Sequence, residues 1–281
     1  MNTKMRVYMS VDLEGITGVV GSYQVLQDPG ALPEVRELVT GDVNAAIAGA
    51  KEAGATTIWV NENHSGRDLL IEKVDPMAEV IIGKPKPLMT LDGLDSSFDC
   101  VFMIGIHARA GTTGAVLDHT WVPKCVQALR VNGVTIGELG LNALAAGHFG
   151  VPIALVTGDT QVVREAHDLL GDVEGVAVKV GLDRYAARSP HPSKAREAIR
   201  QGAAKALREI ERFKPFELSK PMKMEIDYAN TAFATAASWI PTGVREGPQT
   251  VCFTVPDFLV GMTTFFVASA FPYLAADDPM F

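Results

Sequence analysis

Two carboxylates, Asp12 and Glu14, close an apolar run in the stretch MSVDLEG, residues 9–15. Successive side chains of a strand point to opposite faces, so Tyr8, Ser10, Asp12 and Glu14 share one face and Val7, Met9, Val11 and Leu13 the other. Both carboxylates then converge at the carboxyl end of the strand, where open α/β sheets bind ligands, and Gly15 lets the backbone turn away closely. Like charges so placed repel each other and lose hydration unless a cation compensates them. A D-x-E pair that simply leaves the sheet into solvent is the plainer alternative.

Other strand ends carry residue types that bind metals. His64 follows the strand TTIWVN and His107 follows CVFMIG, so both imidazoles are expected at the same carboxyl edge. Glu138, in IGELGLN, begins a helix whose N-terminus also accepts an anionic group. Each has an ordinary explanation alone: a loop histidine, a core histidine, a carboxylate favoured by the helix dipole. Three carboxylates and two imidazoles together, with no thiolate, suit one or two divalent ions of the zinc, manganese or cobalt type. Asp12, innermost on its strand, is the natural bridge. Two such ions lower the pKa of a shared water and clamp the oxyanion formed at a carbonyl, so hydrolysis of an amide or ester is expected.

The motifs YMSVDLEGITG (8–18), VNENHSG (60–66), GIHARAGT (105–112), LDHT with His119, and NGVTIGELGLNALAAG (132–147) stand in an order that resembles a known family. That family is the self-compartmentalising dinuclear zinc D-aminopeptidases associated with bacterial dipeptide-transport operons. The resemblance covers the first ~160 residues and continues more weakly beyond VTGDT; GELGLNA with GIHARAG is specific, whereas D-x-E-G alone is not. It implies that Asp12, Glu14, His64, His107 and Glu138 hold two zinc ions, with manganese or cobalt as substitutes. It implies equally that His119 is the catalytic residue, a nucleophile or proton carrier, and an imidazole that titrates near neutrality suits that role. A loop histidine touching Asp118 is the bland reading of the same residue. The family's decamer of two stacked pentameric rings implies a homo-oligomer here, with short peptides as substrates.

These residues need a scaffold, and the first half of the chain alternates β-type runs with helical patterns. That alternation predicts an α/β fold with a mostly parallel sheet flanked by helices. Residues 6–12 form the first strand, a helix runs from Glu34 to Ala53, and Asn132-Gly133 is the turn of a hairpin. Asp159 or Thr160 caps a later helix, and PSKAREAIRQGAAKALREIERF is amphipathic. A Pro-rich linker at 214–221 divides the chain into a catalytic domain, residues 1–213, and a smaller C-terminal α+β lobe, residues 214–281. The apolar stretch 258–276 is long enough to span a bilayer. Its Gly, Thr, Ser and Pro content, and the absence of flanking Lys or Arg, favour a buried helix instead.

The chain has 281 residues, is 47% hydrophobic and carries a formal net charge of −8, so it can build a full core and presents no basic stripe for nucleic acid. That acidity speaks against the first rival, a two-metal phosphodiesterase or exonuclease. Cys100, Cys125 and Cys252 lie far apart without CxxC pairing, which suggests reduced thiols and a cytoplasmic protein; none reads as a zinc ligand. No signal peptide is visible before the first strand. A second rival, a zinc-binding protein without turnover, has no use for His119. Arg109 either orients a substrate carboxylate or pairs with an acidic neighbour.

Overall fold

The predicted alternation becomes a mostly parallel sheet, and the strand that leads into DLEG is one of its interior members. In the computed structural model, which describes residues 5–26, 28–64, 66–86 and 88–276, β1 (Met5–Val11) leads through α1 (Ser22–Val25) and α2 (Leu32–Glu52) to β2 (Ala55–Glu62). Next come β3 (Ala78–Ile81), β4 (Cys100–Ile104), β5 (Val126–Val131), β6 (Val134–Ile136) and α3 (Glu138–His148). They are followed by β7 (Ile153–Asp159), α4 (Thr160–Leu170), β8 (Glu174–Asp183), β9 (Ala186–Arg188) and α5 (Pro192–Arg208). The last described elements are β10 (Met222–Tyr228), α6 (Thr231–Ala237), β11 (Gly243–Arg245), β12 (Thr250–Val255) and α7 (Phe258–Ala276).

The larger sheet has the order β3-β2-β1-β4-β7-β8-β9, parallel except for the edge strand β9. From β1 the chain winds outward through β2 and β3 on one side and through β4, β7 and β8 on the other. β1 and β4, which pair in parallel, therefore flank a topological switch point, where an open α/β sheet leaves a crevice for ligands. Period-two alternation decides the two faces. Val7, Met9 and Val11 pack with Val43, Ile47 and Ile199 beneath α2 and α5, while Tyr8, Val101 and Met103 pack with Leu139, Val162 and Phe253 on the other side.

The second sheet is antiparallel, in the order β11-β12-β10-β5-β6. Its β5–β6 hairpin turns at Asn132 and Gly133, whose φ values of 50° and 81° are those the dipeptide was expected to supply. β10 pairs with β12 on one side and β5 on the other. The smaller lobe thus draws two strands from residues 126–136, so residues 214–281 do not build it unaided. Nothing local in a hairpin's sequence says which sheet it will join.

Helix α7 differs from its expectation. Phe258, Met262, Phe265, Ala268 and Pro272 form a buried stripe, but Val260, Val267, Phe271 and Leu274 are exposed on the remainder. It is therefore a half-buried helix with apolar residues all round. Among the described residues it is the one helix long and apolar enough to cross a membrane. All three cysteines are buried, and no disulfide forms among the described residues.

Candidate metal centre

Four of the five expected ligands lie just after a strand or at the start of a helix beside the switch point. Asp12 follows β1, His64 follows β2, His107 follows β4, and Glu138 opens α3. Glu14 arrives differently: β1 ends at Val11, and a turn rather than strand alternation brings its side chain in. That turn crosses the exit of β4 so closely that a Cβ on Gly15 would lie 2.1 Å from the Ile106 carbonyl oxygen. Gly105, at φ +72°, completes the crossing.

The acidic pair is divided between two histidines. His64 Nε2 lies 3.5 Å from Glu14 Oε1, and His107 Nε2 lies 3.6 Å from Asp12 Oδ2 and 3.1 Å from Glu138 Oε1. His119 joins them, its ring stacked on His107 at 3.9 Å between centroids and its Nε2 3.6 Å from Glu138 Oε1. Potential ligand atoms of Asp12, Glu14 and His107, and of His107, His119 and Glu138, lie within 4.8 Å of one another in each trio.

The three imidazoles share one orientation. Nδ1 of His107 contacts the Ala108 carbonyl at 3.0 Å, Nδ1 of His119 the Leu117 carbonyl at 2.7 Å, and Nδ1 of His64 the Asp68 carboxylate at 3.2 Å. Oxygen acceptors there assign the proton to Nδ1, so in each neutral ring the Nε2 lone pair faces the carboxylates. This is the tautomer that a metal-ligating histidine held by an outer oxygen adopts.

Burial and mutual charge shape the protonation of this cluster. Burial, reinforced by Glu14, pushes Asp12 well above the usual carboxylate range. Burial also opposes ionisation of Glu14, but His64, His119 and His107 outweigh it and bring its pKa down to about 2. His64 is raised to about 9, because Glu14 and Asp68 overcome the effect of burial. His119 goes the other way, lowered by burial and by the His107 imidazole. Meanwhile Asp12 Oδ2 and Glu14 Oε2 are buried with no hydrogen-bond partner among the described residues. Burying such atoms unsatisfied is costly, and their donor types are those of a divalent cation site, so the residues present fit a metal.

A model of the D-aminopeptidase peptidase family matches residues 5–267. The chain belongs to that family. It is similar to the D-aminopeptidase of Bacillus subtilis (strain 168), 35% identical over 257 residues that cover 91% of this chain and 93% of the relative. Its structure is similar to that of DppA from Bacillus subtilis, described as a zinc-dependent D-aminopeptidase and self-compartmentalising protease. The TM-score is 0.93 at 32% identity, covering 98% of this chain and all of the other.

Within this family fold, several supporting residues escaped the sequence reading. Trp121 donates its backbone N–H to Glu138 Oε1 at 2.8 Å, and buried Asp68 backs His64. Asp68 stands four residues after His64, a spacing that was visible. Asp118, which the plainer reading of His119 set in contact with that ring, instead accepts from the Gly111 N–H and the Arg184 guanidinium. Arg109 lies 3.5 Å from buried Glu165, the second of its expected roles. Glu225, Glu246 and Cys252 form a separate acidic group on the second sheet, where the Lys223 ammonium supplies the counter-charge.

Proposed function

We propose that the chain is a zinc-dependent aminopeptidase that removes an N-terminal D-amino acid from short peptides, with two zinc ions held by Asp12, Glu14, His64, His107 and Glu138. The carrying observation is the convergence of buried Asp12 Oδ2 and Glu14 Oε2, which have no hydrogen-bond partner among the described residues, with three imidazoles whose Nδ1 atoms are each held by an oxygen. When bound, a divalent pair polarises a carbonyl oxygen and makes water nucleophilic at neutral pH. Asp12, Glu14 and Glu138 would offer such ions carboxylate oxygens, and His64 and His107 the lone pairs of neutral imidazoles. Manganese or cobalt would substitute, since nitrogen and oxygen sites accept several divalent ions.

His119 is assigned the proton transfers. Its Nδ1–H is fixed by the Leu117 carbonyl, and burial beside His107 favours the neutral ring. Nε2 can then take a proton and pass it to the departing amine. A second reading makes His119 a ligand, because its Nε2 shares Glu138 with His107.

The self-compartmentalising relative supports a homo-oligomer, for which we propose the decamer. We propose cytoplasmic operation from the buried cysteines, and no nucleic-acid partner from the net charge of −8. Metal analysis combined with paired D- and L-alanyl p-nitroanilides tests the enzymatic reading. Turnover of the D-substrate should disappear with chelator and return with zinc. Chelator-insensitive turnover defeats the metal assignment, and zinc uptake with no turnover of any aminoacyl anilide or peptide favours a storage protein.

A further inference from the structure

Strand β8 carries a lysine inside an otherwise apolar run, and Lys179 is only 1% exposed. A buried ammonium loses its hydration and must be satisfied by the protein. Here three main-chain carbonyls surround it: Glu14 O at 2.5 Å, Ile16 O at 2.9 Å and Val19 O at 2.6 Å. All three belong to the turn that follows β1, and the first is the carbonyl of Glu14 itself. Lys179 stands beside Asp159 across the β7–β8 pair, and Asp42 accepts the Thr17 N–H of the same turn at 3.0 Å. The segment around Glu14 is therefore held from several sides: Gly15 N–H bonds the Gly105 carbonyl, Thr17 bonds Asp42, and the ammonium gathers the carbonyls.

Loops usually satisfy inward carbonyls with their own N–H groups or with water. Within this turn the N–H groups of Ile16 and Val19 are given to Leu13 and Ile16. A fixed cation stands in for further donors, and charge-assisted bonds of this kind are shorter and stronger than neutral ones. The side chain of Glu14 leaves the backbone one residue before Gly15, whose missing Cβ allows the crossing with β4. The direction of its carboxylate toward His64 thus depends on a backbone that the ammonium holds.

We propose that Lys179 is a positioning residue for the metal centre, an internal cation that fixes the backbone of residues 14–19 so that the Glu14 carboxylate faces the metal beside His64. It touches neither substrate nor metal and acts through Glu14. The inference rests on the metal-site reading given above and adds a residue remote from it in sequence.

The test titrates metal-free, full-length protein with zinc against a chromogenic chelator, resolving separate binding steps in the wild type, Glu14→Gln, Lys179→Met and Lys179→Gln. Glu14→Gln marks the step that depends on that carboxylate. Lys179→Met should weaken the same step by about 10–100-fold, the usual range for residues that support a ligand. The other step should stay within about twofold, a split that general destabilisation would not produce. At saturating zinc, kcat should recover with KM unchanged, and Lys179→Gln, which keeps two N–H donors, should fall between wild type and Lys179→Met.

Equal weakening of both steps, or none, overturns the proposal. So does failure of both lysine variants to give folded protein, which would assign Lys179 to the fold alone. A wild-type chain that takes up no zinc overturns the metal reading itself and this inference with it, whereas wild-type uptake matched by Lys179→Met overturns this inference only.

Discussion

Glu14 and His64 face each other at 3.5 Å, and the pairing binds a proton strongly when no metal is present. The raised pKa of His64, from 6.5 to about 9, contributes stability that is fully present below pH 6.5 and is lost as pH rises through 9. His107 is raised in the same direction and His119 is lowered against it. The melting temperature of chelated protein should therefore fall between pH 6.5 and 9, and Glu14→Gln should flatten that slope. A melting temperature that rises over this interval would contradict the charge pairing. His119 bears a different prediction. His119→Ala should lower kcat by about 10²–10⁴-fold. Metal analysis should still find the wild-type zinc content, and loss of an ion would favour the ligand reading. The residue types of the candidate site were legible because strand ends announce themselves through Gly and polar clusters. The stacking of His119 on His107 was not, since it depends on two loops meeting, as does the contact of Lys179 with a turn some 160 residues away.

Elements inherit their precision from their ends. Asp159 was legible as a cap, because an Asp before TQVVREAHDLL is the ordinary start of an amphipathic helix. Its carboxylate does more than cap. It accepts the Gln161 and Val162 N–H groups of α4 and, through the other oxygen, the Val116 N–H at 2.7 Å, fastening the segment that carries His119 to the end of β7. Asp159→Ala should destabilise the protein by about 2–4 kcal/mol, the loss of a cap together with a buried unsatisfied N–H. Denaturant unfolding followed by circular dichroism measures that loss; a change below about 0.5 kcal/mol, the scale of an ordinary surface substitution, would mean that the cap is replaceable. The parallel core was equally legible from alternating β-type and helical runs. The second sheet was not, because β5 and β10 are joined by pairing between residues 126–131 and 224–228 that no local pattern encodes.

For the whole molecule, α7 carries the consequence that a single chain cannot contain. A helix apolar on every side belongs in a core or a membrane, yet one stripe of α7 remains uncovered, with Leu274 81% exposed and Val267 47% exposed. Trp239, 65% exposed, extends the patch, its ring 6.3 Å from that of Phe271. Contiguous apolar surface of this kind marks an interface with protein or lipid. No basic residue lies in the last turn of α7 and no acidic one in the first, so the helix offers no charge contrast by which a bilayer would orient it. The homo-oligomer proposed above would bury the patch against another copy. Val267→Glu with Leu274→Glu should therefore shift the sedimenting species from the assembly toward the 30.1 kDa chain, because a carboxylate left unpaired in an apolar contact costs several kcal/mol. Zinc content should stay at the wild-type level, since both positions lie on the exposed side of α7 while its buried stripe packs within the chain. An unaltered assembly would place the interface elsewhere, and flotation of the wild-type protein with liposomes, abolished by the double substitution, would assign the same face to lipid.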